Sequence, residues 1–154
     1  MAELAKDPEY VRRRAERDKK FADRQRYYDS KMKPVLDELC TAGFPGTSVQ
    51  DVTAKYAPLP EPAVGILIDF LNNCDEEALQ NTLVRALGAA AAPFDGRLLT
   101  DLYDQTWSEA LRFAILNTIA MAKPHSIDEW IEAARKDDYR RQKLTDLGFR
   151  WPKK

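Results

Sequence analysis

The sequence predicts an all-α chain, a short superhelix of antiparallel helical hairpins stacked side by side behind an extra N-terminal helix. Three observations carry this. Six glycines in 154 residues are few, and the period-two alternation of strands is hard to find. Apolar residues recur at three- and four-residue spacing, as on one face of a helix. The chain also resembles itself at an offset of 32 residues. Ile66-Leu67-Ile68-Asp69-Phe70-Leu71 overlays Leu98-Leu99-Thr100-Asp101-Leu102-Tyr103. Glu77-Ala78-Leu79 overlays Glu109-Ala110-Leu111, and Leu83 to Leu87 overlays Ile115 to Ile119. A third copy starts at Trp130-Ile131 and degenerates into a charged segment, as a terminal cap should.

The elements follow in order. Asp7-Pro8 opens a first helix, Asp as N-cap and Pro in the first turn. It is mostly polar, with Val11, Ala15, Phe21 and Tyr28 as its inward contacts, and Pro34 predicts a kink or break over 29–34. Met32, Val35, Leu36 and Leu39 continue the helical spacing to a stop at Gly43. Thr47 with Gln50 has capping-box spacing before a short helix bearing Val49, Val52 and Tyr56. Pro58, Pro60 and Pro62 mark an extended connection. Two helix pairs follow, 63–71 with 76–88 and 94–103 with 107–122, the latter with Thr106 and Glu109 as its cap. Ser126 with Glu129 starts a helix over 127–134, and 138–147 forms the last, ending at Gly148.

The whole chain reads as one domain. Residues 1–34 are a basic helical extension, 35–60 a divergent first hairpin, 61–122 two clear repeats and 125–154 a degenerate cap. One hairpin has too little apolar area to fold alone, so neighbours must share a core. Leu67, Phe70 and Leu71 are expected against Leu79, Leu83 and Leu87, then against Leu99, Leu102, Leu111 and Ile115.

These repeats resemble the HEAT-repeat family. Asp75 occupies that family's turn aspartate, Leu79 and Ala86-Leu87-Gly88 its apolar slots, and Leu111-Arg112 its Val-Arg pair. Leu79-Gln80 departs by lacking the arginine, and Trp107 replaces the turn aspartate of the second copy. The run from Leu39 through Ile131 looks like small bacterial HEAT-like proteins. The resemblance implies a curved surface that binds partners, and nothing more specific.

Charge narrows the partner. Residues 1–34 hold 11 Lys and Arg against 7 Asp and Glu, residues 35–131 hold 5 against 14, and residues 132–154 hold 8 against 4. An acidic body between basic ends predicts a protein partner, basic by complementarity, or basic ends that dock on the body within one chain or in a homodimer through the N-terminal helix. The residues expected to meet the partner are Gln80, Arg85, Arg112 and Asn117, with Asp69 and Asp101 beside them. Arg85 and Arg112 have a structural alternative, pairing with Asp75 or Asp101. Nucleic acid is the competing partner, through Arg12, Arg13, Arg17, Lys20 and Arg24 near the start and Arg140 and Arg141 near the end.

Chemistry is thinly provided. His125 is the single histidine and reads as a solvent-facing loop residue. Cys40 and Cys74 have no metal-binding spacing and suit a reducing cytoplasm. The acidic clusters sit at helix starts, where they complement the dipole. No phosphate loop or nucleophile elbow is present. The sequence therefore predicts no enzyme, no metal and no cofactor. A base-excision activity would require a pocket flanked by an aromatic such as Trp107 and a carboxylate. The longest apolar run, 63–71, falls short of the roughly 20 residues that span a bilayer, and the first residues lack the apolar stretch of a signal peptide. The chain is expected in the cytoplasm, away from membranes.

Overall fold

The computed structural model describes residues 7–153 and is all-helical among them. Eight helices follow in order: α1 (Pro8–Thr41), α2 (Val49–Tyr56), α3 (Glu61–Asn72), α4 (Glu77–Leu87), α5 (Arg97–Gln105), α6 (Glu109–Ala122), α7 (Asp128–Arg135) and α8 (Asp138–Asp146). No described helix is long and apolar enough to cross a membrane. The chain divides into two compact units, Met1–Pro34 and Val35–Lys154.

In the first unit, α1 starts as expected, the Asp7 carboxylate accepting from the Glu9 N–H at 3.0 Å. Its inward contacts do not materialise. Val11 is 49% and Phe21 70% exposed, and only Tyr28 of the four expected residues is half-buried. The surface is knit by local pairs instead, Glu9–Arg13 at 2.6 Å and Asp23–Arg26 at 2.5 Å. The break expected before Pro34 is also absent, and α1 runs through it. A proline inside a helix costs about 3 kcal/mol, but Met32, Val35 and Leu39 around it are buried, each contributing about 1.5–3 kcal/mol.

In the second unit α4 packs against α2, α3 and α6, and α6 packs against α4, α5 and α8. These two helices form the core. Leu83, Val84 and Leu87 of α4 and Leu111, Ile115, Leu116 and Ile119 of α6 are at most 1% exposed. Buried side chains cover most of the circumference of α6, as befits a central helix. The positions that overlay at 32 residues share their burial: Leu67, Leu99 and Ile131 are buried, as are Leu83 with Ile115 and Leu87 with Ile119. Phe70 and Leu102, also expected inside, are half-buried. The buried Thr118 hydroxyl donates to the Val84 carbonyl at 2.8 Å, tying α6 to α4.

Each of the two helix pairs is closed by a short parallel bridge. Leu59, before α3, exchanges backbone hydrogen bonds with Ala89 and Ala91, after α4. His125, after α6, does the same with Phe94 and Gly96, before α5. Leu59 lies eight residues before Leu67, whereas Asp95 lies four before Leu99. The second pair has a shorter first helix and a longer second one around the same closure.

Three expected caps move. Ser48, not Thr47, caps α2 by accepting from the Asp51 N–H, while the Asp51 carboxylate accepts from the Thr47 N–H. That one-residue shift turns Val49 and Val52 into the core. Ser108, not Thr106, caps α6. Ser126 does not cap α7, which starts at Asp128 without a side-chain cap. The bridge at His125 holds the chain there, and Ile127 is buried beyond it. α5 starts at Arg97, later than expected at Phe94, because the Phe94 carbonyl and the Gly96 N–H serve the bridge. The stops at Gly43 and Gly148 are as expected, with φ of 100° and 82° that suit glycine.

Candidate interaction surface

The feature that separates one face of the second unit from the rest is a run of arginines and aromatic rings. It begins between two helices. Thr106 ends α5 and its hydroxyl accepts from the Ser108 N–H at 3.2 Å. Ser108 begins α6, its hydroxyl accepting from the Leu111 N–H and donating to Glu77 of α4. Trp107 stands between these two caps, on backbone tied down at both sides, and is 91% exposed.

One turn into α6, the guanidinium of Arg112 lies 5.8 Å from the centre of the Trp107 ring and 5.1 Å from that of Tyr103 on α5. Tyr103 meets Trp130 of α7 edge-to-face at 5.3 Å, and Arg140 of α8 covers Trp130 at 5.0 Å. Five residues from four helices and a loop thus form one alternating path: Trp107, Arg112, Tyr103, Trp130, Arg140. Each cation–ring contact contributes about 0.5–1 kcal/mol when exposed and more when dry. Carboxylates fix the far end. Asp104 accepts from the Trp130 indole N–H at 3.3 Å, and Asp137 accepts from both the backbone N–H and the Nε of Arg140. The Arg140 backbone bond, first, and its side chain hold the Asp137 carboxyl below its ordinary range despite some desolvation. Burial pushes the Tyr103 phenol up, against the pull of Arg112 and Arg140.

Arg112 is different from Arg140. Its Nε is buried with no acceptor, and no carboxylate pairs with it among the described residues. The alternative of a structural pair with Asp75 or Asp101 therefore fails for Arg112. It fails for Arg85 also, whose Nε donates to Asn81 at 2.6 Å.

The remaining expected contact residues scatter. Gln80 and Asp101 do meet, with Asn72, Cys74 and Gln105, around a polar cleft of about 250 Å³. Gln80 is held there by donating to the Cys74 carbonyl at 2.9 Å. Desolvation, first, and the charges of Glu76 and Asp75 raise the Cys74 thiol, so it is a poor nucleophile at neutral pH. Asp69 is exposed outside that cleft. Asn117 is half-buried on α6, its amide 3.6 Å from the Met121 sulfur.

A second cavity, about 360 Å³, opens beside the bridges and is lined by Leu59, Val64, Phe94, Asp95 and His125 among others. Two of its polar groups, Asp95 and His125, have partners close by. Arg97 binds the Asp95 carboxylate and, with its backbone N–H, lowers that carboxyl to about 2. His125 is exposed and its Nδ1 lies 2.8 Å from the Ser126 hydroxyl. Trp107 lines neither space. No cluster of three His, Cys, Asp or Glu able to hold a metal occurs among the described residues.

The basic residues named for nucleic acid divide in two. Arg12, Arg13, Arg17, Lys20 and Arg24 are all exposed on α1, with Arg13 paired to Glu9. Arg140 and Arg141 are each paired, to Asp137 at 3.1 Å and Asp138 at 2.8 Å.

Sequence reasoning singled out Arg112, and Trp107 only as a replaced turn aspartate and a candidate pocket wall, but not Tyr103 or Trp130. Tyr103 and Trp130 had a faint signal, as aromatic residues in otherwise aliphatic repeat positions. No family model matches the chain, and neither does any curated protein or solved structure.

Proposed function

We propose that this chain is a non-catalytic protein-binding module of HEAT-like type, whose contact surface centres on Trp107 and extends over Arg112, Trp130 and Arg140, with the buried Tyr103 beneath them. The observation that carries the reading is the exposure of Trp107, 91% on a loop capped at both ends. Tryptophan, tyrosine and arginine dominate binding energy at protein interfaces because they present large rigid area at small entropic cost. The HEAT-like arrangement is supported by the shared burial of positions 32 residues apart and by the paired bridges.

Nucleic acid is the weaker reading. It keeps the exposed cations of α1, but Arg140 and Arg141 spend their charge on Asp137 and Asp138, and the residues between the basic ends are strongly acidic.

The test is selection of a random peptide library, C-terminally fused to its display scaffold, on the folded protein. Trp107→Ala should weaken the selected binders about 30-fold, as loss of a 2 kcal/mol anchor does, and leave thermal stability nearly unchanged, because the removed ring is exposed. Phe21→Ala, on α1, should bind like the wild type. Failure to select any binder, or binders indifferent to Trp107→Ala, refutes the surface.

A further inference from the structure

We infer that Arg112 is a receptor for a side-chain carboxylate, so that the partner presents an aspartate or glutamate to it beside an apolar group resting on Trp107. This rests on the protein-binding reading above and adds the chemistry of the partner.

Three half-buried arginines occur on the second unit's surface. Arg135 pairs with Glu132 at 3.4 Å and donates to the Pro152 carbonyl. Arg140 pairs with Asp137. Arg112 has no acid, in a unit where Asp and Glu outnumber Lys and Arg. The lack of a partner is thus local geometry and not a shortage of carboxylates.

The geometry is that of a prepared fork. The guanidinium carbon lies over the Tyr103 ring at 5.1 Å and over the Trp107 ring at 5.8 Å. The Nε is sealed, and on a half-buried side chain that leaves the Nη groups as the donors for a ligand. A planar guanidinium with two outward donors matches a carboxylate in a bidentate pair, which is stronger and more directional than a point-charge contact. Because the rings already fix its orientation, little side-chain entropy remains to be lost on binding.

The negative balance of the unit does not oppose this. Charges more than about 10 Å away are screened at ordinary ionic strength, whereas a hydrogen-bonded pair acts at contact. The same comparison sets aside the basic partner suggested by overall charge. Beside the exposed Trp107, the unanswered charge is positive.

The experiment uses the peptides selected on the whole protein with dependence on Trp107. They are synthesised with amidated C-termini, so that only side chains supply carboxylates. Enriched sequences should share an Asp or Glu, and changing it to Asn or Gln should weaken binding about tenfold or more. Arg112→Gln should cause the same loss. In that variant the acidic and amide peptides should bind equally, and Arg112→Lys should fall between, keeping charge but losing the fork. If Arg112→Gln fails to fold, the peptide-side substitution in the wild type decides alone. Trp107-dependent peptides that are neutral or basic, or that ignore Arg112→Gln, overturn the carboxylate assignment while leaving the protein-binding surface intact. Absence of Trp107-dependent peptides overturns both.

Discussion

Asp95 shows how a single exposed carboxylate reports on the packing beneath it. Arg97 binds it through side chain and backbone, and its carboxyl falls from 3.8 to about 2. A group lowered on folding stabilises the folded state above its unfolded value, and that contribution is lost as pH falls through the folded one. Unfolding followed between pH 4 and pH 2 should therefore show stability declining with acidity. Asp95→Asn should flatten the decline in that window and leave the slope near neutrality unchanged. An identical profile in the variant would mean that Arg97 makes no net contribution. At the same scale the sequence singled out Arg112 as an outward position next to Leu111, and Leu111 is buried while Arg112 is half-buried. Its lack of an acid was not legible, since Tyr103 and Trp107 come from outside its own helix.

The helices themselves were largely foreseen, because amphipathic spacing and stop glycines act within a few residues. Where they begin was less accessible. At α2 two neighbouring hydroxyls compete for one capping role, and burial of Val49 and Val52 selects Ser48. Before α7 a backbone bridge overrides the local cap signal, and before α5 another delays the start from Phe94 to Arg97. Two glycines separate local preference from tertiary constraint. A Cβ on Gly65, inside α3, would meet nothing within 4 Å, whereas one on Gly96 would stand 2.8 Å from Pro124 Cβ and 3.0 Å from Ile127 Cγ2. Gly65→Ala should stabilise the protein by about 0.5–1 kcal/mol through helix propensity. Gly96→Ala should destabilise it by about 1–3 kcal/mol through overpacking. Denaturant titration checks both, and effects of equal sign would contradict the packing around the bridge.

For the whole molecule the division into two units sets the expectation. The described side chains before Tyr28 are exposed apart from the half-buried Tyr10, so the described part of a truncation of residues 1–26 takes away little buried area. The shortened chain should keep its thermal midpoint within about 4 °C, roughly the shift that 1 kcal/mol produces at this size, as read by helical circular dichroism. A much larger fall would show that the first unit contributes to the stability of the second. The same truncation should leave Trp107-dependent peptide binding intact, because the proposed surface belongs wholly to residues 103–140.

The all-helical class, the placing of the helical segments after Gly43 and the self-similar burial at 32 residues were determined by the sequence, because hydrogen bonds and apolar spacing along a helix are local. The bridges, the cap registers and the continuity of α1 through Pro34 came from tertiary packing, which can outweigh a local signal worth one or a few kcal/mol. The candidate surface belongs to that second group. Trp107, Arg112, Tyr103, Trp130 and Arg140 span 38 positions of chain, and nothing between neighbouring residues announces that they share one face. Their meeting depends on how α5 to α8 bury their aliphatic sides, which takes Tyr103 inside and leaves Trp107 exposed beside a guanidinium without an acid.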